Sequence, residues 1–362
     1  MYRSGILLHL TRLLCILLQV LFMLCLTQTA PALVFPDTEL KVFQFPPDRI
    51  PCIDGDPSDW DIVPAYCVYG TDMLLDVEND RNAPVNPKDL DIRVRVGWVE
   101  GMDRLYFLYE AYDNYWDFEE PGLHNDIFEI SVDADLSGGE FIYADYPRRI
   151  FLRNSHAQNH HILTPAAGKS PVMLWNCPDW AAKLPWANYA CRYAFRHGES
   201  GRLVMECWIT PFDLISFDGP EYSRVSKLCE NTVIGLAWLV ADWDGPGSRH
   251  ALPCLSHDVR QVHDASFLRP FRLMPLEERF RKPFQAFYTF TIVDIRRREV
   301  AFIDRSRGAV TKWRWEFGDG AESRERNPVH RYKQPGEYIV ALTVEGPSGT
   351  SQYTTLWEVL LK

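Results

Sequence analysis

The most constraining feature of the 362-residue chain is an alternating aromatic pattern near its C-terminal end. Trp313, Trp315 and Phe317 alternate with charged residues, and Gly318-Asp319-Gly320 follows directly. Alternation with a period of two places the three rings on one face of a β-strand. The two glycines permit the positive φ angles of a tight turn, and the aspartate between them can accept bonds from backbone amides. The pattern predicts a strand that buries Trp315 between two sheets and then reverses direction.

The residues after this turn extend the pattern to the end of the chain. They comprise a polar loop, a short motif and an alternating strand, marked by Asn327-Pro328, His330, Tyr332, Gly336, Tyr338, Val340, Leu342 and Val344. Together with the preceding strand they resemble a PKD domain, a small Ig-like β-sandwich, over its full length from about residue 284 to 362. In that family Asp319 and His330 correspond to turn and strand positions. The resemblance therefore implies that both are folding residues and that this block is not catalytic.

The first 32 residues are typical of a signal peptide. Arg3 and Arg12 precede an apolar run from Leu13 to Leu26, and small residues follow up to Ala32. The run is shorter than the roughly 20 residues that span a bilayer. We expect cleavage after Ala32, and retention as a membrane anchor is the alternative. The mature protein is then secreted, periplasmic or at the cell surface, with no transmembrane segment.

The overall composition fits an exported protein rich in β-structure. With 38 Lys and Arg against 49 Asp and Glu, the formal net charge is −11, which argues against nucleic acid as a partner. Twelve Trp, 16 Tyr, 25 Pro and 21 Gly favour sheets and turns over helices. The chain is predicted to be all-β, and its length fits two domains.

Short apolar runs alternate with Pro, Gly and Asp clusters between about residues 40 and 270. The runs at 92–98 and 128–132 alternate with polar residues, as half-buried strands do. Those at 105–111 and 233–240 are nearly continuous, which is typical of central strands covered on both faces. The pattern predicts a two-sheet sandwich.

The chain is accordingly divided into a signal peptide, a β-sandwich, a linker and a C-terminal domain, at 1–32, 33–270, 271–283 and 284–362. Prolines space the linker, and its apolar residues are expected to pack against a neighbouring domain: Phe271, Leu273, Leu276 and Phe280. Residues 76–89 and 154–188 are predicted as long loops, which often carry binding residues.

Seven cysteines remain after removal of the signal peptide, an odd number. Cys207 alternates with Leu203, Met205 and Ile209, so it is predicted to be a buried free thiol. An oxidising compartment favours disulfides among the other six. Pairing neighbours in sequence gives Cys52–Cys67, Cys177–Cys191 and Cys229–Cys254, one of many arrangements that the sequence leaves open.

Several short motifs follow one another along the predicted sandwich. They are Ile53-Asp54-Gly55-Asp56 with Trp60, Ile92–Trp98, Leu105-Tyr106 leading to Asp113, Asn125-Asp126 leading to Glu129 and Asp133, and Glu206 before Ile209-Thr210-Pro211. Their order and spacing resemble the family 9 carbohydrate-binding modules, from which Thr210 departs by standing where proline is usual. The resemblance spans about 50–270 and implies a jelly-roll β-sandwich that binds sugars and is often attached to polysaccharide-degrading enzymes.

Sugar binding requires flat aromatic faces beside planar polar groups. A tryptophan-rich segment supplies Trp175, Trp180, Trp186 and Tyr189, and a Cys177–Cys191 disulfide would hold part of it in a small loop. Trp116 and Trp243, both flanked by acids, form the second candidate platform. Burial in the core is the alternative for each tryptophan.

A block of 13 carboxylates with one basic residue, from Glu100 to Asp145, is expected to attract cations. Family 9 modules commonly bind structural calcium, so the resemblance implies a Ca²⁺ ion held by some of Asp126, Glu129, Asp133 and Asp135. The run from Asp133 copies half of a calcium loop, but Ala144 stands where a closing glutamate belongs, which favours a hairpin turn. His156, His160 and His161 have the spacing of metal ligands, although solvated or hydroxyl-binding roles are preferred.

The sequence thus predicts a non-catalytic protein that binds polysaccharide or oligosaccharide and takes part in polysaccharide catabolism. The PKD domain would serve as a spacer or contact other surface or secreted proteins. One alternative is a glycoside hydrolase that cleaves O-glycosyl bonds with Glu129 and Asp133, or with Glu206 and Asp242. Another is a structural or adhesion protein of the cell surface that binds no glycan.

Overall fold

The computed structural model describes residues 33–35, 38–78, 82–119, 123–142, 156–174, 177–245 and 250–359. The regular secondary structure in these residues consists of β-strands and short 3-10 turns, which confirms the all-β prediction. The predicted signal peptide lies outside the described residues. Within the described ranges, no helix has the length and apolar character needed to cross a bilayer.

Strands β1 to β17 build the N-terminal sandwich. Their bounds are β1 (Leu40–Gln44), β2 (Val68–Gly70), β3 (Leu75–Asp76), β4 (Ala83–Pro84), β5 (Leu90–Trp98), β6 (Leu105–Asp113), β7 (Ile127–Asp133), β8 (Gln158–Leu163), β9 (Val172–Leu174), β10 (Ala187–Tyr193), β11 (Gly201–Ile209), β12 (Phe212–Leu214), β13 (Arg224–Val225), β14 (Val233–Trp243), β15 (His250–Ala251), β16 (Pro253–Cys254) and β17 (Arg269–Leu273). The 3-10 turns lie at Pro57–Trp60, Ala65–Cys67, Thr71–Met73, Asp179–Ala182, Pro220–Tyr222, Val259–Val262, Ala265–Phe267 and Glu278–Phe280.

The N-terminal sandwich has two sheets that share strand β1. One sheet has the order β10-β11-β6-β5, and β2 pairs with the outer edge of β5. The other is centred on β14, which pairs with β7 on one side and with β17 on the other, and β8 and β9 continue beyond β7. Strand β1 runs parallel to β17 through Leu40–Val42 and parallel to β5 through Phe43-Gln44. This change of partner joins the two sheets at one edge.

The predicted alternation of strand β5 is confirmed by its burial. Val94, Val96 and Trp98 are 0 % exposed, and they pack in the core between the two sheets. Phe128 of β7 stacks on Tyr109 of β6 with ring centroids 4.4 Å apart, which ties the sheets together. Cys207 lies in the same core, with the burial that the alternation of β11 predicts.

The prediction of a long loop at 154–188 is wrong, because strands β8 and β9 lie within this range. Strand β8 begins with Gln158, Asn159, His160 and His161, all of them buried. Because polar side chains lie on both faces of β8, its sequence shows no apolar alternation and did not predict a strand. Segments around the 3-10 turns at Val259–Val262 and Ala265–Phe267 contact β7 and lie over this part of the sheet.

The C-terminal sandwich contains two sheets, β18-β19-β22 and β21-β20-β23-β24. Their bounds are β18 (Tyr288–Asp294), β19 (Glu299–Asp304), β20 (Lys312–Glu316), β21 (Glu322–Ser323), β22 (Val329–Arg331), β23 (Gly336–Gly346) and β24 (Gly349–Val359). Trp315 is 0 % exposed in the core between them, as predicted. Gly318 has φ +84°, and a Cβ there would lie 2.6 Å from the carbonyl oxygen of Ile339, so only glycine fits this turn.

The two sandwiches meet in one aromatic cluster. It contains Phe43, Phe45, Trp60, Tyr106 and Trp208 of the N-terminal sandwich, Phe280 of the connecting segment, and Phe287 and Tyr353 of the C-terminal sandwich. Phe271 and Leu273, which were assigned to the linker, belong to strand β17 in the middle of a sheet because both point into the core. The connecting segment therefore begins after Leu273. Leu276 is buried and Phe280 contacts the ring of Phe43, as the expected packing requires.

Candidate functional site

Glu206 connects two of the sequence motifs described above, the one at residues 53–60 and its own at the end of strand β11. Its Oε2 accepts hydrogen bonds from the backbone N–H groups of Asp54 (3.1 Å) and Gly55 (2.7 Å). Its Oε1 accepts one from Nε1 of Trp60 (2.7 Å). The side chain is buried, and both oxygens are occupied by donors from one segment. Glu206 therefore fixes residues 54–60 against strand β11.

Three aspartates converge at one end of the N-terminal sandwich. Asp113 ends β6, Asp126 directly precedes β7, and Asp242 lies near the end of β14. One carboxylate oxygen of each lies within 4.8 Å of the other two. The three residues are 1 %, 1 % and 3 % exposed. The register of β7 against β14 pairs Ile127 with Ala241, which brings the neighbouring aspartates together.

Burial and mutual repulsion hold these carboxyl groups towards their protonated forms. Loss of solvent raises the pKa of Asp113 to about 7 and that of Asp242 to about 9, and the neighbouring carboxylates add to both effects. The pKa of Asp126 is raised well above its ordinary value for the same reasons. Within the described residues, no Lys or Arg forms an ion pair with any of the three, so their negative charge is not balanced by the described side chains.

The hydrogen bonds of the three aspartates leave oxygen atoms available. Asp126 accepts two backbone N–H groups, from Trp243 to Oδ1 (2.8 Å) and from Asp117 to Oδ2 (2.7 Å). Asp113 accepts the N–H of Tyr115 with Oδ1 (2.9 Å). Oδ2 of Asp113 and Oδ1 of Asp242 are buried and have no partner among the described residues. Buried carboxylate oxygens require a proton or a cation.

The donor set fits a hard divalent cation. All three side chains offer oxygen, the ligand that Ca²⁺ prefers, and Ca²⁺ takes about six to eight oxygens in flexible geometry. The hydroxyl group of Tyr109 is also buried without a described partner. Burial raises its pKa, and Asp113, Asp126 and Asp242 add to the effect. We call Asp113, Asp126, Asp242 and the adjoining Trp243 the acidic end.

Trp243 is the partly exposed aromatic residue of the acidic end. Its ring stacks on His250 with centroids 4.3 Å apart and an angle of 8°, and His124 approaches it edge-on at 4.9 Å. His250 in turn lies 3.3 Å from Glu78, measured from Nε2 to Oε2. Aromatic and planar polar groups are thus combined in the way that sugar recognition requires.

Trp116, the other half of this predicted platform, is placed differently. It is 1 % exposed, it stacks on Phe195 with centroids 4.8 Å apart, and its Nε1 donates to the carbonyl oxygen of Gly201 (3.1 Å). The charged residues around it suggested a surface loop, but the ring turns into the core. Trp116 therefore presents no ring face for stacking.

The tryptophan-rich segment packs as a cluster. Trp180 and Trp186 lie 5.7 Å apart, and both rings contact Phe212, at 5.6 and 5.5 Å. Tyr189 donates its hydroxyl to the carbonyl oxygen of Leu163 (3.0 Å). All except the buried Phe212 are half-buried, and sugar binding by them stays a prediction. Trp175 lies outside the described residues.

Only Asp126 of the four expected calcium ligands joins the three-aspartate cluster. Asp133 accepts the N–H of Gly138 (2.7 Å), and Asp135 accepts that of Ser137 (3.1 Å). Both therefore stabilise the bend that follows strand β7. This bend is not the expected hairpin turn, because Glu140 pairs with Asp264 and strand β8 begins only at Gln158. Glu129 accepts a hydrogen bond from Asn159 (3.1 Å) and lies near His161, away from the cluster.

The partners of Asp126 come from distant strands. Asp113 and Asp242 can both be noticed in the sequence, because each follows an apolar run and has other acidic residues nearby. Their proximity depends on which strands are neighbours in space, and strand periodicity does not contain that information.

The histidines and cysteines also depart from expectation. His160 and His161 are 1 % and 3 % exposed rather than solvated, and burial lowers the pKa of His160 to about 3. His156 is half-buried, and burial lowers its pKa as well. The seven described cysteines are free thiols, so the structure shows none of the predicted disulfides: Cys52–Cys67, Cys177–Cys191 and Cys229–Cys254. In the first and last pairs one cysteine is exposed and the other lies in the core, which leaves the two thiols in different surroundings.

Asp319 and His330 in the C-terminal sandwich have the structural roles that the resemblance implied. Asp319 accepts the backbone N–H of Ala321 with Oδ1 (3.0 Å), and its Oδ2 lies 2.8 Å from Nε2 of His330. The histidine ring stacks on Phe317 with centroids 4.1 Å apart. The pair closes the glycine turn.

Comparison with known proteins identifies the C-terminal block. The family model described as "PKD domain" matches residues 293–359. This confirms the PKD resemblance. Among curated proteins, "Collagenase ColQ1" of Bacillus cereus (strain Q1) is 48% identical over 42 residues, or 12% of this chain and 4% of the collagenase. "Microbial collagenase" of Vibrio alginolyticus is 38% identical over 56 residues, or 15% of this chain and 7% of that protein. The chain thus spans a small fraction of these relatives.

Solved structures resemble both blocks. A family 9 carbohydrate-binding module from Caldicellulosiruptor kristjanssonii, in complex with cellotriose, is 13% identical, with a TM-score of 0.44, and covers 68% of this chain and 98% of its own. The same module in complex with glucose is 14% identical, with a TM-score of 0.45, and covers 67% and 98%. The PKD1 domain of Vibrio anguillarum Epp is 27% identical, with a TM-score of 0.20, and covers 22% and 94%.

Proposed function

We propose that this protein is a non-catalytic carbohydrate-binding protein that is exported and acts on the surface or outside of the cell in polysaccharide catabolism. The motifs of the N-terminal sandwich support this proposal, as does the combination of aromatic and planar polar groups at the acidic end. The similar module from Caldicellulosiruptor kristjanssonii was solved with cellotriose and with glucose. Polysaccharides or oligosaccharides are therefore the ligand class to test.

The observation that carries the proposal is the double role of Asp126. Its carboxylate belongs to the three-aspartate cluster. Its Oδ1 also accepts a hydrogen bond from the backbone N–H of Trp243. A cation bound by Asp113, Asp126 and Asp242 would neutralise the repulsion among them. The same cation would fix the end of strand β14, which carries the partly exposed Trp243. Ca²⁺ would then act on sugar binding through the position of Trp243.

A retention assay on a polysaccharide panel tests the proposal. The mature chain is passed over immobilised polysaccharides with Ca²⁺ and with EGTA, and released reducing sugar is measured in parallel. We expect retention without release, and weaker retention in EGTA. Release of reducing sugar would support the glycoside hydrolase alternative, and no retention on any polysaccharide would support the structural protein.

Single replacements then locate the binding surface. Trp243→Ala should reduce retention about tenfold or more with little change in melting temperature, since its ring is partly exposed. Trp180→Ala is the matched variant for the other candidate surface. Because Trp180 packs on Trp186 and Phe212, its loss should lower stability. If Trp180→Ala folds and loses retention while Trp243→Ala keeps it, the site lies in the tryptophan-rich segment.

The PKD domain is proposed to hold the N-terminal sandwich in one orientation. The aromatic cluster between the sandwiches includes Phe280, Phe287 and Tyr353, so the connection is packed rather than flexible. A contact with other surface or secreted proteins through the PKD domain belongs to the same proposal.

A further inference from the structure

The junction of the two sandwiches contains two adjoining cavities. One has a volume of about 520 Å³ and the other about 690 Å³. Four residues line both: Pro47, Met102, Arg104 and Pro185. Residues of the PKD domain complete each cavity, through Phe290 in the smaller one and Gln352 in the larger. We call the pair of cavities the junction cleft. Each volume lies within the range of about 300–1,000 Å³ typical of small-molecule sites.

Arg104 stands between the two cavities as a fixed planar cation. Its guanidinium carbon lies 3.8 Å from the ring centroid of Trp208 and 5.5 Å from that of Phe290. Stacking of this kind holds the guanidinium plane, and one of its five N–H donors bonds the carbonyl oxygen of Pro185 (3.5 Å). Burial lowers the pKa of Arg104, which means that its charge has lost solvent. A planar, partly desolvated guanidinium is suited to a carboxylate.

Two buried acceptors face the smaller cavity. Gln44 and Gln285 both line it and are 3 % and 6 % exposed. Oε1 of each has no hydrogen-bond partner among the described residues. A buried amide oxygen without a donor is costly, so this wall requires a molecule that brings O–H or N–H groups. Trp186 lines the same cavity and adds an aromatic surface.

The charge of the smaller cavity has the opposite sign to that of the protein. Its lining includes four basic residues, Arg104, Lys227, Arg305 and Arg307, against the acidic Glu100 and Asp103. Lys227 already pairs with Asp103 (2.5 Å). The chain as a whole has a formal net charge of −11. An anionic ligand would therefore be drawn to this cleft rather than to the rest of the surface.

We propose that the junction cleft binds an acidic sugar, such as a hexuronate unit of a polysaccharide, whose carboxylate contacts Arg104 and whose hydroxyl groups donate to Gln44 and Gln285. The anionic group matches the guanidinium, the hydroxyl groups match the two amide oxygens, and the ring face matches Trp186. The site requires both sandwiches, and it is separate from the acidic end.

Calorimetry with trigalacturonate tests the proposal, with cellotriose as the uncharged comparison. The full mature chain should bind trigalacturonate, bind cellotriose at this cleft at least tenfold more weakly, and lose affinity as NaCl is raised. Arg104→Gln should weaken trigalacturonate binding about tenfold or more, since a charge-assisted bond is lost. Arg202→Gln removes an exposed arginine of β11 and should change nothing.

A second variant keeps the test decisive if Arg104→Gln does not fold. Gln44→Leu removes an unpartnered buried oxygen, so it should keep or raise the melting temperature while weakening trigalacturonate several-fold. The proposal is overturned by unchanged affinity in Gln44→Leu together with equal binding of cellotriose and trigalacturonate by Trp243→Ala, in which the acidic end lacks its stacking residue. Absence of any trigalacturonate binding overturns it as well. Trp243→Ala should leave trigalacturonate binding intact, which separates this site from the one at the acidic end.

Discussion

Strand β6 separates two regions that bury charge in different ways. At one end Asp113 joins two further aspartates, and no described side chain of opposite charge balances them. At the other end Arg104, directly before the strand, is half-buried between the rings of Trp208 and Phe290. Nine residues of strand place the two ends about 30 Å apart.

The difference concerns what each end needs to be stable. The acidic end requires something from solution, a proton or a cation, because its neighbours are of like charge. The junction end obtains its cover from a second folded domain through aromatic packing. The two ends should therefore respond to different perturbations and add independently, as sites this far apart usually do.

The largest effect should come from loosening the junction. Phe287 is 5 % exposed in the aromatic cluster, so Phe287→Ala should cost about 3–5 kcal/mol and split thermal unfolding into two transitions. Val293→Ala, at an exposed position of strand β18, which Phe287 directly precedes, should cost little. Differential scanning calorimetry measures both. If Ca²⁺ raises the melting temperature equally in Phe287→Ala and in the parent protein, the two ends are independent. If Phe287→Ala loses this rise, the two ends are coupled.

Calcium should produce the next largest effect, at the acidic end alone. A 100-fold excess over the dissociation constant stabilises by about 2.7 kcal/mol. For about 330 residues that unfold together, at about 2.1 cal/mol/K each, that corresponds to a rise of roughly 4 °C in melting temperature. Asp242→Asn should abolish the rise, and Asp135→Asn, in the bend after strand β7, should preserve it. A rise of equal size in Asp242→Asn would place the cation elsewhere.

Stability without calcium should fall as pH rises. The folded-state pKa values of Asp113 (about 7) and Asp242 (about 9) lie above the unfolded value near 4, so the folded state holds extra protons between these limits. The stabilisation is complete below about pH 4 and is lost as pH rises through 7 and 9. Urea unfolding at pH 5, 7 and 9 in EGTA measures this slope. Saturating Ca²⁺ should flatten it, because the metal needs the deprotonated carboxylates.

The smallest effect concerns thiol labelling. Cys52 and Cys229 are exposed, and both line the junction cleft, whereas Cys254 near the acidic end is buried. A bulky thiol reagent should modify these two in the native mature protein and all seven cysteines after denaturation without reductant. Trigalacturonate should slow the native reaction and Ca²⁺ should not. One titratable thiol after denaturation would instead support the three predicted disulfides.

Short-range patterns in the sequence were sufficient to predict much of the fold. The alternation of Val94, Val96 and Trp98 predicted a half-buried strand, and the glycine turn at 318–320 predicted the PKD domain. Both depend on residues close in sequence, where period and turn chemistry are informative. Strand β8 was missed because its polar residues are buried on both faces by other segments.

The candidate site was predicted less well, because it depends on contacts between distant strands. Asp126 was expected to bind calcium, but its partners Asp113 and Asp242 became visible only when β6, β7 and β14 were placed side by side. The burial of Trp116 has a similar origin: its cover, Phe195, comes from another part of the chain. The junction cleft needs the docking of two domains, which no local pattern encodes.

Strand β1 has a mechanical consequence that follows from its two parallel partners. Its hydrogen bonds to β17 and then to β5 run across the strand direction, so a pull on the chain before Leu40 along that direction loads them in shear. Bonds loaded in shear share the force and break together, whereas bonds at a peeled edge break one at a time. A tether that entered the sandwich through β1 would therefore resist drag on a bound polymer before either sheet opened.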